Sequence, residues 1–197
     1  LNGVSFSDAN TGTVVGTNGT IFRTTTGGGT WIAQNSGTPH KLNGVDHFPT
    51  DPMEITAVGD SGIILRSTNG GLTWVGAGQN TNQGALTRIS FFDNNRAAIV
   101  GEGGKIYLTS NGGTTWLPQT TGVVSALHGV AYYPSDPNEI TAVGADGIIL
   151  RTTNSGATWA QQTSFTNNVL RGIAVTRTTR VAAGAGDNIR RSTNSGA

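Results

Sequence analysis

The chain has 197 residues, of which 12% are charged, and its twelve Lys and Arg against eleven Asp and Glu leave a net charge of +1. A balance this close to neutral excludes a nucleic-acid or membrane partner held by overall charge. The absence of cysteine excludes disulfides and thiolate metal sites, and no stretch supplies the roughly 18 apolar residues of a membrane-spanning helix.

The chain opens on an apolar alternating segment, Leu1-Asn-Gly-Val-Ser-Phe6, followed by a segment that ends in glycine, Val14-Val-Gly16. Two residues on stands Asn18-Gly19, then Ile21-Phe-Arg23, then the phrase Thr24-Thr-Thr-Gly-Gly-Gly-Thr-Trp31. Asn-Gly tolerates the positive φ of a two-residue hairpin. These residues therefore predict three hairpin-linked strands and a fourth that carries the Trp.

The same order recurs. The second copy reads Leu42-Asn-Gly-Val45, Ala57-Val-Gly59, Ser61-Gly62, Ile64-Leu-Arg66 and Ser67-Thr-Asn-Gly-Gly-Leu-Thr-Trp74. The third reads Leu86-Thr-Arg-Ile-Ser-Phe91, Ile99-Val-Gly101, Gly103-Gly104, Ile106-Tyr-Leu108 and Thr109-Ser-Asn-Gly-Gly-Thr-Thr-Trp116. The fourth runs from Leu127-His-Gly-Val-Ala-Tyr132 through Asp146-Gly147 and Ile149-Leu-Arg151 to Thr152-Thr-Asn-Ser-Gly-Ala-Thr-Trp159. A fifth, from Leu170-Arg-Gly-Ile-Ala-Val175 through Gly186-Asp187 and Ile189-Arg-Arg191, stops at Ser192-Thr-Asn-Ser-Gly-Ala197, before its Trp.

Four short antiparallel strands in about 40 to 45 residues is the pattern of a propeller blade. The fold expected is an all-β propeller of four-stranded blades in a single domain over 1–197, with repeats at about 1–41, 42–85, 86–126, 127–169 and 170–197. A β-solenoid is the rival fold, but its repeats are generally shorter and lack this hairpin turn. The Leu-x-Gly-Val strand should be innermost, where glycine lets backbones crowd together, and the Trp strand outermost, with all four Trp buried alike. In the phrase itself, Asn should accept an N–H two residues on while Trp covers the turn. The interruption of the fifth phrase suggests a longer natural chain that supplies the missing strand.

The phrase Ser/Thr-x-Asn-x-Gly-x-Thr-Trp resembles the Asp-box of BNR repeats, with Asn at 69, 111, 154 and 194 and Thr26 in place of the Asp. The wider unit, Val-Gly-x-x-Gly-x-Ile-x-Arg-Ser/Thr-Thr-Asn-Gly-Gly-x-Thr-Trp, is similar to the photosystem II assembly factor Ycf48-like repeats. That resemblance implies seven blades and a basic propeller surface associated with partner docking. Asp-boxes also occur in sialidases, sorting receptors and carbohydrate-active enzymes, so they carry fold rather than function.

Candidate sites follow from what varies and what recurs. Arg23, Arg66, Arg151 and Arg191 share one repeat position, with Leu108 as the exception, and form either internal bonds to neighbouring turns or a basic patch for an acidic partner. Asn2, Asn43, Thr87, His128 and Arg171 occupy the variable slot of Leu-x-Gly-Val, which reads as a binding rim or as drift at exposed positions. Sialidase chemistry would need a Tyr nucleophile with a carboxylate, but Tyr107, Tyr132 and Tyr133 sit in packing positions, and Asp60, Glu102 and Asp146 in or beside turns. His40, His47 and His128 have no metal spacing, and His47 takes a half-buried packing slot. Repeats two and four share an insertion, Phe48-Pro-Thr-Asp-Pro-Met-Glu-Ile55 and Tyr133-Pro-Ser-Asp-Pro-Asn-Glu-Ile140.

The expected function is that of a non-enzymatic binding or assembly propeller with a protein partner, no catalytic residues, no metal and no cofactor. The alternatives are a cell-surface carbohydrate-binding or glycosidase-like BNR propeller and a structural repeat of an extracellular appendage. Low charge content points to an extracellular or periplasmic setting, since average domains carry about twice this charged fraction.

Overall fold

The computed structural model describes residues 1–77, 84–186 and 188–193. β1 (Gly3–Phe6), β2 (Gly12–Val15), β3 (Ile21–Thr24) and β4 (Ile32–Gln34) form the first sheet. β5 (Leu42–Phe48), β6 (Asp51–Gly59), β7 (Ile64–Ser67) and β8 (Val75–Gly76) form the second, and β9 (Leu86–Phe91), β10 (Ala97–Gly101), β11 (Ile106–Thr109) and β12 (Leu117–Pro118) the third. β13 (Leu127–Tyr133), β14 (Asp136–Gly144), β15 (Ile149–Thr152) and β16 (Ala160–Gln162) form the fourth. β17 (Leu170–Val175), β18 (Arg180–Gly184) and β19 (Ile189–Ser192) form the fifth, which has three strands among the described residues.

In every sheet the strands neighbour one another in chain order, so Leu-x-Gly-Val lies at one edge and the strand following Thr-Trp, where present, at the other. Among the described residues, five sheets and no helical element longer than a three-residue 3-10 turn make an all-β architecture, as the repeat predicts. The shared insertion lengthens β5 with β6 and β13 with β14 into longer hairpins, pairing Phe48 with Asp51 and Tyr133 with Asp136.

The turn pairs take the backbone that their residue types permit. Asn18-Gly19 has φ of 53° and 64°, Ser61-Gly62 58° and 72°, and Asp146-Gly147 55° and 67°, the left-handed values of a type I′ hairpin. The second glycine is also pressed by its surroundings, because a Cβ on Gly147 would stand 1.8 Å from the Thr166 carbonyl oxygen. Of the fifth pair, Gly186 is left-handed at 67° and Asp187 lies outside the described residues.

The chain divides into two compact units, residues 1–97 with 109–116 and residues 98–108 with 117–197. In the first, Val15 and Ile21 pack against Leu42, Val45, Ile55, Ala57, Leu65 and Trp74 of the second sheet. Successive first strands lie together, β1 on β5 and β5 on β9, and a Cβ on Gly3 would meet the Gly44 Cα at 3.2 Å. In the second unit Val143 and Ile149 pack against Leu170, Ile173 and Ala182, and β13 lies on β17. Glycine in the first strand thus permits the backbone approach expected of it.

Two details depart from expectation. The four Trp are not equivalent: Trp74 and Trp116 are buried and Trp159 half-buried, but Trp31 is 38% exposed, its ring meeting Phe6 edge-on at 6.2 Å. Trp74 is covered because the turn before it rests on the first sheet, where Gln34 reaches Gly71, whereas a Cβ on the equivalent Gly28 would meet only the Trp31 ring itself.

The Asn of the phrase closes a longer turn than expected, accepting the N–H four residues on, Thr73 to Asn69 at 3.0 Å and Thr115 to Asn111 at 3.0 Å. The nearer amides are taken by the preceding hydroxyl, Ser67 Oγ accepting from the N–H groups of Asn69 and Gly71. The fifth phrase, from Asn194 on, lies outside the described residues.

Candidate functional site

Two of the variable-slot residues, Asn2 and Asn43, bridge successive first strands. Asn2 Nδ2 donates to the Leu42 carbonyl at 2.9 Å, and Asn43 Nδ2 to the Leu86 carbonyl at 2.9 Å and to Asp60 Oδ1 at 2.8 Å. In the first two repeats the slot side chain thus ties its strand to the leucine opening the next one. Thr87 is half-buried in β9. His128 is half-buried in β13, and burial, assisted by the charge of Arg171, lowers its pKa against the opposing pull of Glu102. Arg171 is exposed on β17.

The recurring arginines divide by what their repeat offers. Arg23 donates through Nη1 to the Gly70 carbonyl, at the turn before Trp74. Arg66 pairs with Glu54 at 2.8 Å and lies over the Phe48 ring, and Arg151 Nε donates to Glu139 Oε1 at 3.0 Å. Both carboxylates come from the shared insertion, which was a signal in the sequence for these pairs. Arg191 is exposed on β19. The structure brings Arg151 and Arg191 to one cavity, while Arg23 and Arg66 belong to the first unit.

That cavity, of about 310 Å³, lies in the second unit. Arg151, Arg180, Arg190 and Arg191 line it together with Gln162, Phe165 and the polar run Ser192-Thr193. Sequence reasoning passed over Arg180 and Arg190, which replace small or apolar residues of the other repeats. Glu139, held by both Arg151 and Arg180, is a carboxylate beside them, and among the described residues the lining carries none. Arg180 lies over the Tyr133 ring at 5.4 Å, and burial lowers its pKa from the ordinary guanidinium value, although arginine stays protonated in a protein. Arg190 Nη2 donates to Asn188 Oδ1 at 2.8 Å and to the Phe165 carbonyl at 3.2 Å. The Nε atoms of Arg180 and Arg190 are buried without a hydrogen-bond partner among the described residues.

Repeat equivalence shows what such a setting holds. Arg151 and Gln162 correspond to Arg23 and Gln34, which in the first unit cradle the Gly70-Gly71 turn: the guanidinium binds the Gly70 carbonyl, and Gln34 Oε1 lies 3.4 Å from a Cβ built on Gly71. Leu108 and Gln119 stand in the same relation to Gly156 in the second unit. The chemistry of the cavity is therefore donation to peptide carbonyls and to carboxylates, next to an aromatic ring.

Comparison with known proteins agrees with the fold. The family model described as Photosynthesis system II assembly factor YCF48 matches residues 1–135. Among solved structures, the chain is similar to one described as YCF48 bound to D1 peptide, at 20% identity and a TM-score of 0.51, covering 96% of this chain and 91% of that one. It is similar to YCF48 from Cyanidioschyzon merolae at 22% identity and a TM-score of 0.72, covering 96% of this chain and 65% of that one. The WD40 beta propeller domain of Doa1 matches at 15% identity and a TM-score of 0.78, covering 98% of this chain and 64% of that one. GH74 enzymes share the fold as well. At these identities the likenesses establish a β-propeller fold. None of the curated proteins matches the chain.

Proposed function

The chain belongs to the family of the photosynthesis system II assembly factor YCF48, and on that premise we propose that it is a non-enzymatic assembly propeller that binds a segment of a protein partner in the arginine-lined cavity of its second unit. The observation that carries the reading is the convergence of Arg151, Arg180, Arg190 and Arg191 on one cavity beside Phe165. The partner segment is peptide in chemistry and acidic in character. Carbonyls or carboxylates of the segment would accept from the guanidiniums that line the cavity. The similar structure described as YCF48 bound to D1 peptide supports a peptide as the class of ligand.

A glycosidase would need two carboxyl groups facing each other across the substrate, whereas four arginines line this cavity, which favours binding over turnover. The test is titration of the purified chain with an acidic peptide and with its Asn/Gln counterpart. The acidic peptide should bind more tightly, and Arg190→Ala should weaken it about tenfold, the loss of one charge-assisted hydrogen bond. Equal affinity for both peptides, or hydrolysis of a xyloglucan oligosaccharide, would overturn the proposal.

A further inference from the structure

The loop leading from the last strand of one sheet to the first strand of the next is built alike in three repeats. A hydroxyl bonds across a left-handed residue to the amide beyond it. Ser36 Oγ accepts from the Thr38 N–H at 3.3 Å around Gly37, and Thr121 Oγ1 accepts from the Val123 N–H at 3.4 Å around Gly122, with φ of 70° and 74° at the two glycines. Between β16 and β17, Ser164 Oγ accepts from the Thr166 N–H at 3.4 Å and donates to its carbonyl at 3.0 Å, but the residue enclosed is Phe165, at φ of 56°.

Glycine enters this region freely, whereas a bulky side chain there is strained. Burial does not offset that strain, because Phe165 is 88% exposed. The loop is nevertheless fixed, since Arg190 Nη2 donates to the Phe165 carbonyl at 3.2 Å. The openness belongs to the slot itself: a Cβ on Gly37, in the first unit, and one on Gly122, in the second, each meets nothing within 4 Å. All three loops run between two sheets, so the slot stays open with the following sheet in place.

An aromatic ring held out against its backbone preference points to a contact made there, and a second cavity lies beside it. Of about 580 Å³, it is formed within the second unit by the Asp146-Gly147 turn and residues 161–167. Gln161, Thr163 and Asn167 are exposed around Phe165 and give it walls of amides and hydroxyls. Among the described residues Asp146 is the one ionisable side chain of the lining, and its Oδ2 accepts from Ser125 Oγ at 2.8 Å.

We propose that this cavity binds a neutral saccharide, the apolar face of a sugar ring stacked on Phe165 and its hydroxyl groups bonded to Gln161, Thr163, Asn167 and Asp146. A sugar ring carries C–H groups on one face and hydroxyls around its rim. The electron-rich face of Phe165 suits the former, and amides, hydroxyls and a carboxylate, which between them donate and accept, suit the latter. An anionic ligand would meet the Asp146 carboxylate with no cation in the described lining. The arginine-lined cavity also borders Phe165, but this site uses none of its arginines and does not rest on the acidic-peptide reading.

Saturation-transfer NMR of the purified chain with cellohexaose, maltohexaose and xylohexaose tests the proposal. At least one of the three should receive saturation from the protein. Phe165→Gly should weaken that sugar about tenfold, the worth of one aromatic contact. This variant has the residue that holds the slot at 37 and 122, so its denaturant midpoint should equal or exceed the parent's, and the lost binding is then not a lost fold. Phe165→Tyr keeps the ring and should bind like the parent. Saturation of none of the three sugars, undiminished binding by Phe165→Gly, or a loss in Phe165→Tyr as large as in Phe165→Gly would overturn the proposal. So would Phe165-dependent binding of a proline-rich peptide in place of any sugar.

Discussion

Asn43 reaches from one first strand to the next, its side-chain amide donating to the Leu86 carbonyl at 2.9 Å. The same amide binds Asp60 Oδ1 at 2.8 Å, so one side chain serves a turn and a neighbouring sheet. Asn43→Ala removes both bonds and leaves the half-buried Asp60 without this donor. The expected cost is about 2 kcal/mol, at roughly 1 kcal/mol per hydrogen bond. Arg171→Ala, at the exposed slot of β17, should change stability by less than about 0.5 kcal/mol in the same dilute urea titration. Equal midpoints for the two variants would remove the bridging role.

The tryptophans should separate by burial. Trp74→Ala and Trp116→Ala delete indoles that are 9% and 5% exposed, at a cost of about 3 to 5 kcal/mol each. Trp31→Ala should cost about 1 kcal/mol, since its edge-on contact with Phe6 is an aromatic pair of modest strength. The readout is the denaturant midpoint at unchanged slope. A Trp31→Ala loss matching that of Trp74→Ala would show that the exposed indole is as fully packed as the buried one.

What was legible in the sequence was local. Asn18-Gly19 and its counterparts set the hairpins through backbone conformation alone, and the hairpins then impose the strand order of every sheet. The glycine of Leu-x-Gly-Val announced close backbones, and Gly3 against Gly44 bears that out. What stayed hidden depends on partners distant in sequence. Trp31 reads like Trp74 because the phrase is the same, while exposure is decided by whether another sheet covers the turn. The slot residues read as a varied surface, whereas Asn2 and Asn43 are ties between strands about 40 positions apart. Arg180 and Arg190 carried no repeat signal at all, and only folding brings them beside Arg151.

His47 gives stability a pH dependence of known sign. Its imidazole is buried, with Nε2 3.0 Å from Thr13 Oγ1, and burial, reinforced by the charge of Arg23, pushes its pKa down to about 4. The folded state favours the neutral ring, while the unfolded chain takes a proton near 6.5. The contribution is therefore complete above pH 6.5 and is lost as pH falls towards 4, by about 3 kcal/mol at 1.36 kcal/mol per unit. The neighbouring Asp46 acts with opposite sign: burial raises its pKa even though Ser5, His47 and Phe91 donate to its carboxylate. Comparison with His47→Gln isolates the histidine. The parent should lose stability relative to this variant between pH 6.5 and 4, and parallel curves across that window would refute the assignment.

Glu139 offers a way to separate the cavity's charge from its structure. Its Oε1 accepts from Arg151 Nε at 3.0 Å and from Arg180 Nη2, and all three side chains are at most 23% exposed. Glu139→Gln leaves two guanidiniums around a neutral amide. Stability should fall by about 2 kcal/mol, less than the full penalty for breaking a buried ion pair because Arg151 keeps some solvent. Affinity for an acidic peptide should move the other way, since the competing carboxylate is gone while Arg151, Arg180, Arg190 and Arg191 keep their charges. Glu54→Gln makes the equivalent change beside Arg66 in the first unit, where the carboxylate lies 2.8 Å from the guanidinium, and should lower stability without altering peptide affinity. Calorimetric titration of both variants at two salt concentrations distinguishes the cases: Glu139→Gln should bind more tightly and with a steeper salt dependence than the parent. Identical binding by Glu139→Gln and Glu54→Gln would place the acidic segment elsewhere on the protein.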